Sequence, residues 1–192
     1  MSGEEVDDAR LRTLLRAFGD DGIARWLLPD PASRPALYRE WFGMVLEHAE
    51  REGSVLTGED GDAVQVWLSA LHGPAEMLDE AGGRRLLEIA GAAAPRFREF
   101  GELTSANHPD EPHQYLALIA VDPAVQASGI GTRELTAALR RWDAEGVATY
   151  LEASTPRSRR LYARLGFRDR GAPIELPGGP SLYPMWREPN PA

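Results

Sequence analysis

The sequence predicts one domain of the α/β or α+β class over residues 1–192, because helical and strand patterns of hydrophobic residues follow each other along the chain. The length is that of one ordinary domain, and a hydrophobic content of 43% allows a substantial core. A third observation is the segment VDPAVQASGIGTREL, residues 121–135, in which glycines join a strand pattern to a helix pattern. The expected architecture is therefore a sheet with helices packed on it.

The first half of the chain predicts helices around one hairpin. Hydrophobic residues recur at helical spacing in two segments that end at glycines, and a third helical segment contains internal glycines that divide it into two short helices. Between them, two strand patterns flank a glycine-rich turn. In chain order these are the helix 11–18, the helix 37–48, the hairpin 54–74 with its turn at 58–61, and the helix pair 76–103.

The second half alternates strands and helices more regularly. The hydrophobic run 115–121 predicts a central strand that ends at Asp122-Pro123. Hydrophobic residues at i, i+3, i+4 and i+7 then predict a helix with one buried face. This helix spans residues 132–143. It is followed by the strand 148–154, the helix 157–165 with Gly166 as a left-handed cap, and two strands around 176–181.

Composition excludes several classes of function. With 21 Lys and Arg against 30 Asp and Glu, the formal charge is −9, which disfavours nucleic acids and anionic membranes as partners. The chain has no cysteine, so a disulfide framework, a thiolate metal site and a cysteine nucleophile are excluded. No segment has the pattern of a signal peptide or a membrane span. We therefore expect a cytoplasmic protein.

The glycine loop, residues 126–132, has the residue types of an anion site. The first turn of a helix has N–H groups without partners and a partial positive charge, and glycines allow a phosphate to approach the backbone. A P-loop is excluded because no lysine follows the glycines, and Glu134 occupies the position of the third glycine of a dinucleotide fingerprint. A tight turn that needs glycine only for packing is the alternative.

Three motifs indicate a family. Gln126-x-x-Gly129-x-Gly131 resembles the pyrophosphate loop of the GNAT N-acyltransferase superfamily, LIAVDP (118–123) resembles the strand before it, and LYARLGF (161–167) resembles a later helix end. The resemblance covers residues 113–168, and within the superfamily the chain resembles the branch of puromycin-type antibiotic acetyltransferases and uncharacterised relatives. It implies a mixed central sheet flanked by helices and split where acetyl-coenzyme A binds.

The same resemblance implies the activity and the coenzyme contacts. The expected reaction moves an acetyl group from acetyl-coenzyme A to an amine of a small molecule. The strand end would bind the pantetheine arm and the oxyanion, the loop would bind the pyrophosphate, and two further hydroxyl residues stand where many relatives carry asparagine. These residues are Ile119, Ala120 and Val121, then Gln126, Ala127, Ser128, Gly129, Ile130, Gly131 and Thr132, and finally Thr155 and Ser158.

Catalytic residues follow in part from the resemblance. Tyr162 resembles the general acid that protonates the coenzyme A thiolate, and its alternative is a packing role beside its neighbouring leucines. Glu152, near the end of its strand, is the candidate base, and a solvated surface glutamate is its alternative.

The acceptor pocket is expected to come mostly from the first half of the chain. His113 and Tyr115 are candidate pocket residues, because alternation along a strand gives them one face with Ala117 and Val121 and the resemblance places catalytic histidines of some relatives on that face. The alternative for His113 is a surface histidine at the start of the strand. Trp41 and Trp67 are further candidates, with a place in the core as their alternative.

No metal site is expected, because the two prolines of HPDEPH (108–113) make it an extended loop and no third histidine is near in sequence. The predicted partners are acetyl-coenzyme A and a small amine, and a homodimer is compatible with the resemblance. Two other functions stay open, a non-catalytic acyl-coenzyme A-binding module and an acetyltransferase for peptide or protein amines.

Overall fold

The computed structural model describes residues 3–58, 61–126 and 128–190, with side chains from Ala9 onward. Within these ranges the helices are Gly3–Phe18 (α1), Gly22–Leu27 (α2), Arg34–Glu52 (α3), Glu80–Ala90 (α4), Ala94–Ala106 (α5), Ile130–Glu145 (α6) and Pro156–Arg164 (α7). The strands are Gly53–Thr57 (β1), Ala63–Ser69 (β2), Gln114–Val121 (β3), Thr149–Ala153 (β4), Arg168–Asp169 (β5), Ile174–Glu175 (β6) and Ser181–Arg187 (β7). None of the described helices is long and apolar enough to cross a membrane.

The elements predicted from the sequence are present, and two short ones were missed. The helix α2 has six residues and begins where Asp21 Oδ1 accepts a hydrogen bond from the Ala24 N–H at 2.7 Å. The strand β5 has only two residues. Both are too short to carry a hydrophobic period, so tertiary contacts decide that they form. Gly166 has the predicted left-handed conformation, with φ of +94°.

The predicted mixed sheet flanked by helices is confirmed. Its strands are ordered β1-β2-β3-β4-β7-β5, with β6 also paired to β7, and every pairing except β3 with β4 is antiparallel. The parallel pair β3 and β4 is joined only at Gln114 with Thr149 and at Tyr115 with Tyr150. Beyond these two pairs the strands separate, so the sheet is split at its centre.

Each face of the sheet carries its own group of helices. On the first face, α1, α2, α3 and α5 contribute the buried core residues, including Leu14, Phe42 and Phe97. On the second face, α6 and α7 pack through Leu135, Trp142 and others. The split in the sheet therefore lies between two separate hydrophobic clusters.

A β-bulge in β3 changes which side chains share a face. Opposite β2, Val66 pairs with Leu118 but Trp67 pairs with Leu116, so Ala117 is an extra residue. Tyr115 consequently lies on the first face, whereas Ile119 packs with the second cluster. The prediction that Tyr115 shares a face with Val121 was wrong, because simple alternation fails at a bulge.

Candidate functional site

A cavity of about 990 Å³ lies on the first face and reaches into the split between β3 and β4. Leu116, Ala117, Leu118 and Ile119 line it from β3, and Glu152 and Tyr162 line it from the other side of the split. The first half of the chain contributes most of the remaining wall, through its helices and through the loops that follow β2 and precede β3. That wall includes Phe18, Tyr38, Trp41, Phe42, Phe97 and Phe100.

Glu152 is a half-buried residue at the point where the strands separate, and its carboxyl oxygen Oε1 is buried. Tyr115 Oη donates a hydrogen bond to Glu152 Oε2 at 2.8 Å. The other oxygen, Oε1, is buried without a hydrogen-bond partner among the described residues. Burial raises the pKa of Glu152 to about 7, against the opposing effects of the Tyr115 hydroxyl and the nearby Tyr150 hydroxyl. The carboxyl group is thus able to gain and lose a proton near neutral pH.

The two tyrosines around Glu152 stay protonated. Burial and the adjacent carboxylate both raise the pKa of Tyr115 well above its ordinary value, and they act on Tyr150 in the same direction. A hydroxyl that keeps its proton acts as a hydrogen-bond donor toward the carboxylate. Tyr115 therefore fixes the orientation of Glu152.

Tyr162 enters the cavity from α7, the helix on the second face. Its side chain is 7% exposed, and its ring packs against Phe167 with the centroids 5.9 Å apart. Its hydroxyl makes no hydrogen bond to any described residue. Burial raises the pKa of Tyr162 to about 12, so the phenol is protonated at neutral pH and able to donate.

His113 lies behind the cavity wall, not on it. It is completely buried, and its Nδ1 is 2.7 Å from the Glu111 carbonyl oxygen, while its Nε2 is 3.1 Å from Nε2 of His108. Because a carbonyl only accepts, Nδ1 of His113 carries the proton and Nε2 of the neutral ring accepts from His108. The expected alternative of a surface histidine at 113 was wrong.

His108 lines the cavity where His113 was expected to do so. Burial, and then the neighbouring His113, lower the pKa of His108 to about 4, so this ring is neutral at physiological pH. Sequence reasoning weighed His108 only as a metal ligand. The sequence HPDEPH places both histidines in one short loop, and this closeness was the available signal that His108 could lie beside the position predicted for His113.

The glycine loop has the conformation expected of a helix start. Gly129 is the N-cap of α6 with φ of +85°, and a Cβ on Gly131 would lie 2.9 Å from Cγ2 of Val121. Gln126 Nε2 donates to the Val121 carbonyl at 3.1 Å, and Ser128 Oγ donates to the Val125 carbonyl at 2.6 Å. These two side chains therefore brace the loop. Ala127 lies outside the described residues.

The first turn of α6 presents backbone donors. The N–H groups of Ile130, Gly131 and Thr132 precede the first bond of the helical ladder, in which Arg133 N–H donates to the Gly129 carbonyl. Such N–H groups and the helix dipole suit an anionic phosphate. The chemistry of this segment fits a pyrophosphate. Packing also favours glycine at position 131, because a Cβ there would lie too close to Val121.

Thr155 and Ser158 bond to each other at the start of α7. Thr155 Oγ1 accepts from the Ser158 N–H at 3.0 Å, and Ser158 Oγ accepts from the Thr155 N–H at 3.1 Å. This is a capping box, which satisfies two backbone donors at the helix start. Thr155 is exposed and Ser158 is half-buried, and their contact with coenzyme stays a prediction.

The two tryptophans have different positions. Trp41 lines the cavity and packs against Tyr38, Phe42 and Phe97. Trp67 is completely buried on the second face, where it packs against Trp142, and it does not line the cavity. The strand β2 turns Trp67 away from the first face, so the structure does not bring the two tryptophans to one pocket.

A model of the Acetyltransferase (GNAT) family matches residues 21–167, which is more than half of the chain. The chain belongs to the GNAT acetyltransferase family. The superfamily and the acyltransferase class inferred from the three motifs are thereby confirmed. Members of this family use acetyl-coenzyme A as cosubstrate, and no described group of three or more His, Cys, Asp or Glu residues forms a metal cluster.

Solved structures share the architecture of this GNAT acetyltransferase. One, described as histone acetyltransferase HPA2 and related acetyltransferase from Corynebacterium glutamicum, is 27% identical, with 100% of this chain and 95% of that chain covered at a TM-score of 0.68. Arylalkylamine N-acetyltransferase 2 from Aedes aegypti is 14% identical, with 99% and 97% covered at a TM-score of 0.66. The ribosomal-protein-S18-alanine N-acetyltransferase from Escherichia coli is 15% identical, with 100% and 92% covered at a TM-score of 0.50. The last two comparisons bear on the fold alone.

The raised pKa of Glu152 predicts a pH-dependent cost to the stability of this GNAT acetyltransferase. The folded protein holds the Glu152 proton up to about pH 7 and the unfolded chain only to about 4.5, so stability falls as pH rises through this window. Glu152→Gln removes that loss. We expect its free energy of unfolding, relative to the wild type, to rise by about 3 kcal/mol between pH 4 and pH 8 in urea denaturation.

The control for this measurement is Glu102→Gln, which changes an exposed glutamate of α5. It gives the effect of removing one exposed carboxylate from the same chain. If the Glu152→Gln difference changed with pH no more than the Glu102→Gln difference, Glu152 would not have a raised pKa in the folded protein.

Proposed function

We propose that this protein transfers an acetyl group from acetyl-coenzyme A to the amine of a small molecule, with Glu152 as general base and Tyr162 as general acid. One observation carries the proposal. Both side chains line the same cavity at the split of the sheet, one with a pKa near neutrality and the other with its proton retained. A reaction that removes one proton and supplies another needs such a pair.

The proposed proton transfers start at the amine. The amine nitrogen forms a bond to the thioester carbonyl carbon, and the carbon–sulfur bond then breaks. Glu152 takes a proton from the nitrogen, directly or through a water molecule, and Tyr162 gives its proton to the departing thiolate. Because Glu152 Oε1 has no hydrogen-bond partner among the described residues, it has a free site for the incoming proton.

The coenzyme is proposed to enter from the loop side of the split. The first-turn N–H groups of α6 would bind the pyrophosphate. The edge of β3 that β4 leaves unpaired would accept the pantetheine arm as an added strand does. An N–H near Ile119 would stabilise the oxyanion. The finer resemblance to antibiotic acetyltransferases concerns only the acceptor and stays a prediction.

The experiment that tests the activity is thiol release from acetyl-coenzyme A, with small amines and peptides offered in parallel. We expect release with small amines and a fall in kcat of about 10²–10⁴-fold in Tyr162→Phe, with little change in acetyl-coenzyme A affinity. A protein that binds acetyl-coenzyme A but releases no thiol with any acceptor would be a binding module. Faster release with peptides would assign it to peptide or protein amines, and unchanged turnover in Tyr162→Phe would exclude Tyr162 as the acid.

Coenzyme binding at the glycine loop predicts that glycine-to-alanine changes at the two ends of α6 have different effects on coenzyme affinity. Gly129 and Gly146 both have positive φ, +85° and +69°, and open space where a Cβ would stand. Each change to alanine costs about 1–2 kcal/mol of stability because the left-handed conformation disfavours a side chain. Only Gly129→Ala should weaken coenzyme A binding, by about tenfold in calorimetry, because it moves the N–H groups. Equal affinities in the two variants would move the pyrophosphate elsewhere.

The acceptor pocket predicts a contrast between the two tryptophans. Trp41→Leu and Trp67→Leu should each lower the free energy of unfolding by about 2–4 kcal/mol, since both leave a cavity in a core. Only Trp41→Leu should also raise the KM of the acceptor amine. Steady-state kinetics at saturating acetyl-coenzyme A provides the test, and an equal change of KM in both variants would contradict the assignment.

A further inference from the structure

Among its described lining residues the cavity has four carboxylates and no arginine. The chain has no lysine, so its permanently charged side-chain cations are arginines. A substrate carboxylate in this cavity would therefore find no guanidinium or ammonium partner. The four carboxylates are Asp21, Glu76, Asp110 and Glu152.

Two arginines of the aromatic helices are committed elsewhere. Arg34 of α3 donates to the Leu28 carbonyl at 2.6 Å and to Asp20 at 2.6 Å. Arg96 of α5 donates to the Trp26 carbonyl. Because these guanidinium groups are held by groups outside the cavity, they are not available to a bound ligand.

The deep wall is a continuous set of aromatic rings. Trp41 contacts Tyr38, Phe42 and Phe97 with ring centroids 5.2–5.4 Å apart, and Phe18 adds to the set at 5.9 Å from Phe42. Trp41, Phe42 and Phe97 are buried. Asp21 lies near this wall, but its Oδ1 is used to cap α2. A charged group placed here would lose its hydration without gaining a partner.

The carboxylates at the opening are placed differently. Glu76 and Asp110 are exposed residues of the cavity rim, in the segments that follow β2 and precede β3. Exposed carboxylates raise the local concentration of a protonated amine before it enters. The rim thus attracts a cation, and the interior accepts an apolar body.

We infer that the acceptor is a primary amine with an uncharged apolar body, aliphatic or aromatic, and without a carboxylate. This rests on the proposed acetyl transfer and names its substrate class. Rim carboxylates attract the protonated amine, Glu152 accepts its proton in the split, and the body packs on the aromatic wall. Free amino acids, and acceptors with an acidic group close to the amine, are excluded because their carboxylate would be buried unpaired.

The test uses acceptors of matched length on the wild-type chain. Hexylamine and 6-aminohexanoate have the same chain length and similar amine pKa values, and they differ in a terminal methyl or carboxylate. We expect kcat/KM for hexylamine to exceed that for 6-aminohexanoate by on the order of 100-fold, the cost of an unpaired buried charge. From ethylamine to hexylamine, kcat/KM should rise about fourfold per methylene, equivalent to about 0.8 kcal/mol.

A binding measurement separates this inference from the proposed activity. Calorimetry of the same amines with the coenzyme A-saturated protein ranks them without turnover. If hexylamine binds more tightly than 6-aminohexanoate but no acetyl product forms, the acetyl transfer is wrong and the ligand class stands. If 6-aminohexanoate or hexane-1,6-diamine equals hexylamine in both binding and turnover, the inference is overturned while the activity stands.

Discussion

The short parallel pairing of β3 with β4 is the constraint on which the site depends. Two residue pairs, at Gln114 and Tyr115, hold the strands together, and then the strands separate. A strand edge without a partner leaves backbone groups available for a ligand. The separation also opens a path between the two faces, so that Tyr162 from α7 reaches a cavity on the first face that the first half of the chain mostly builds.

The last joined pair also sets the electrostatics of the site. Tyr115 and Tyr150 stand opposite each other, and Glu152 follows two residues later on the same face of β4. The carboxyl group is therefore buried next to aromatic rings, with one hydrogen bond from Tyr115 and no ion pair to any described cation. Burial of a carboxyl group without a compensating charge costs stability, and the same cost brings its pKa to the range of a useful base.

The bulge at Ala117 divides β3 between the two faces of the sheet. Before it, Tyr115 faces the aromatic helices and orients Glu152. After it, Ile119 faces α6 and its cluster, next to the segment that leads into the glycine loop. The bulge thereby places Tyr115 and Ile119, which simple alternation would put on one face, on opposite faces of the sheet.

The sequence by itself determined the local elements, the glycine loop, the family and the candidacy of Tyr162 and Glu152. These follow from periodicity and from motifs whose residues are close in the chain, and both are local properties. Only the tertiary structure decided that Trp41 lines the cavity and Trp67 does not, that His108 takes the place expected for His113, and that the carboxyl group of Glu152 is buried. These outcomes depend on strand register, on the bulge and on burial by distant helices, which are long-range contacts that no single segment of sequence encodes.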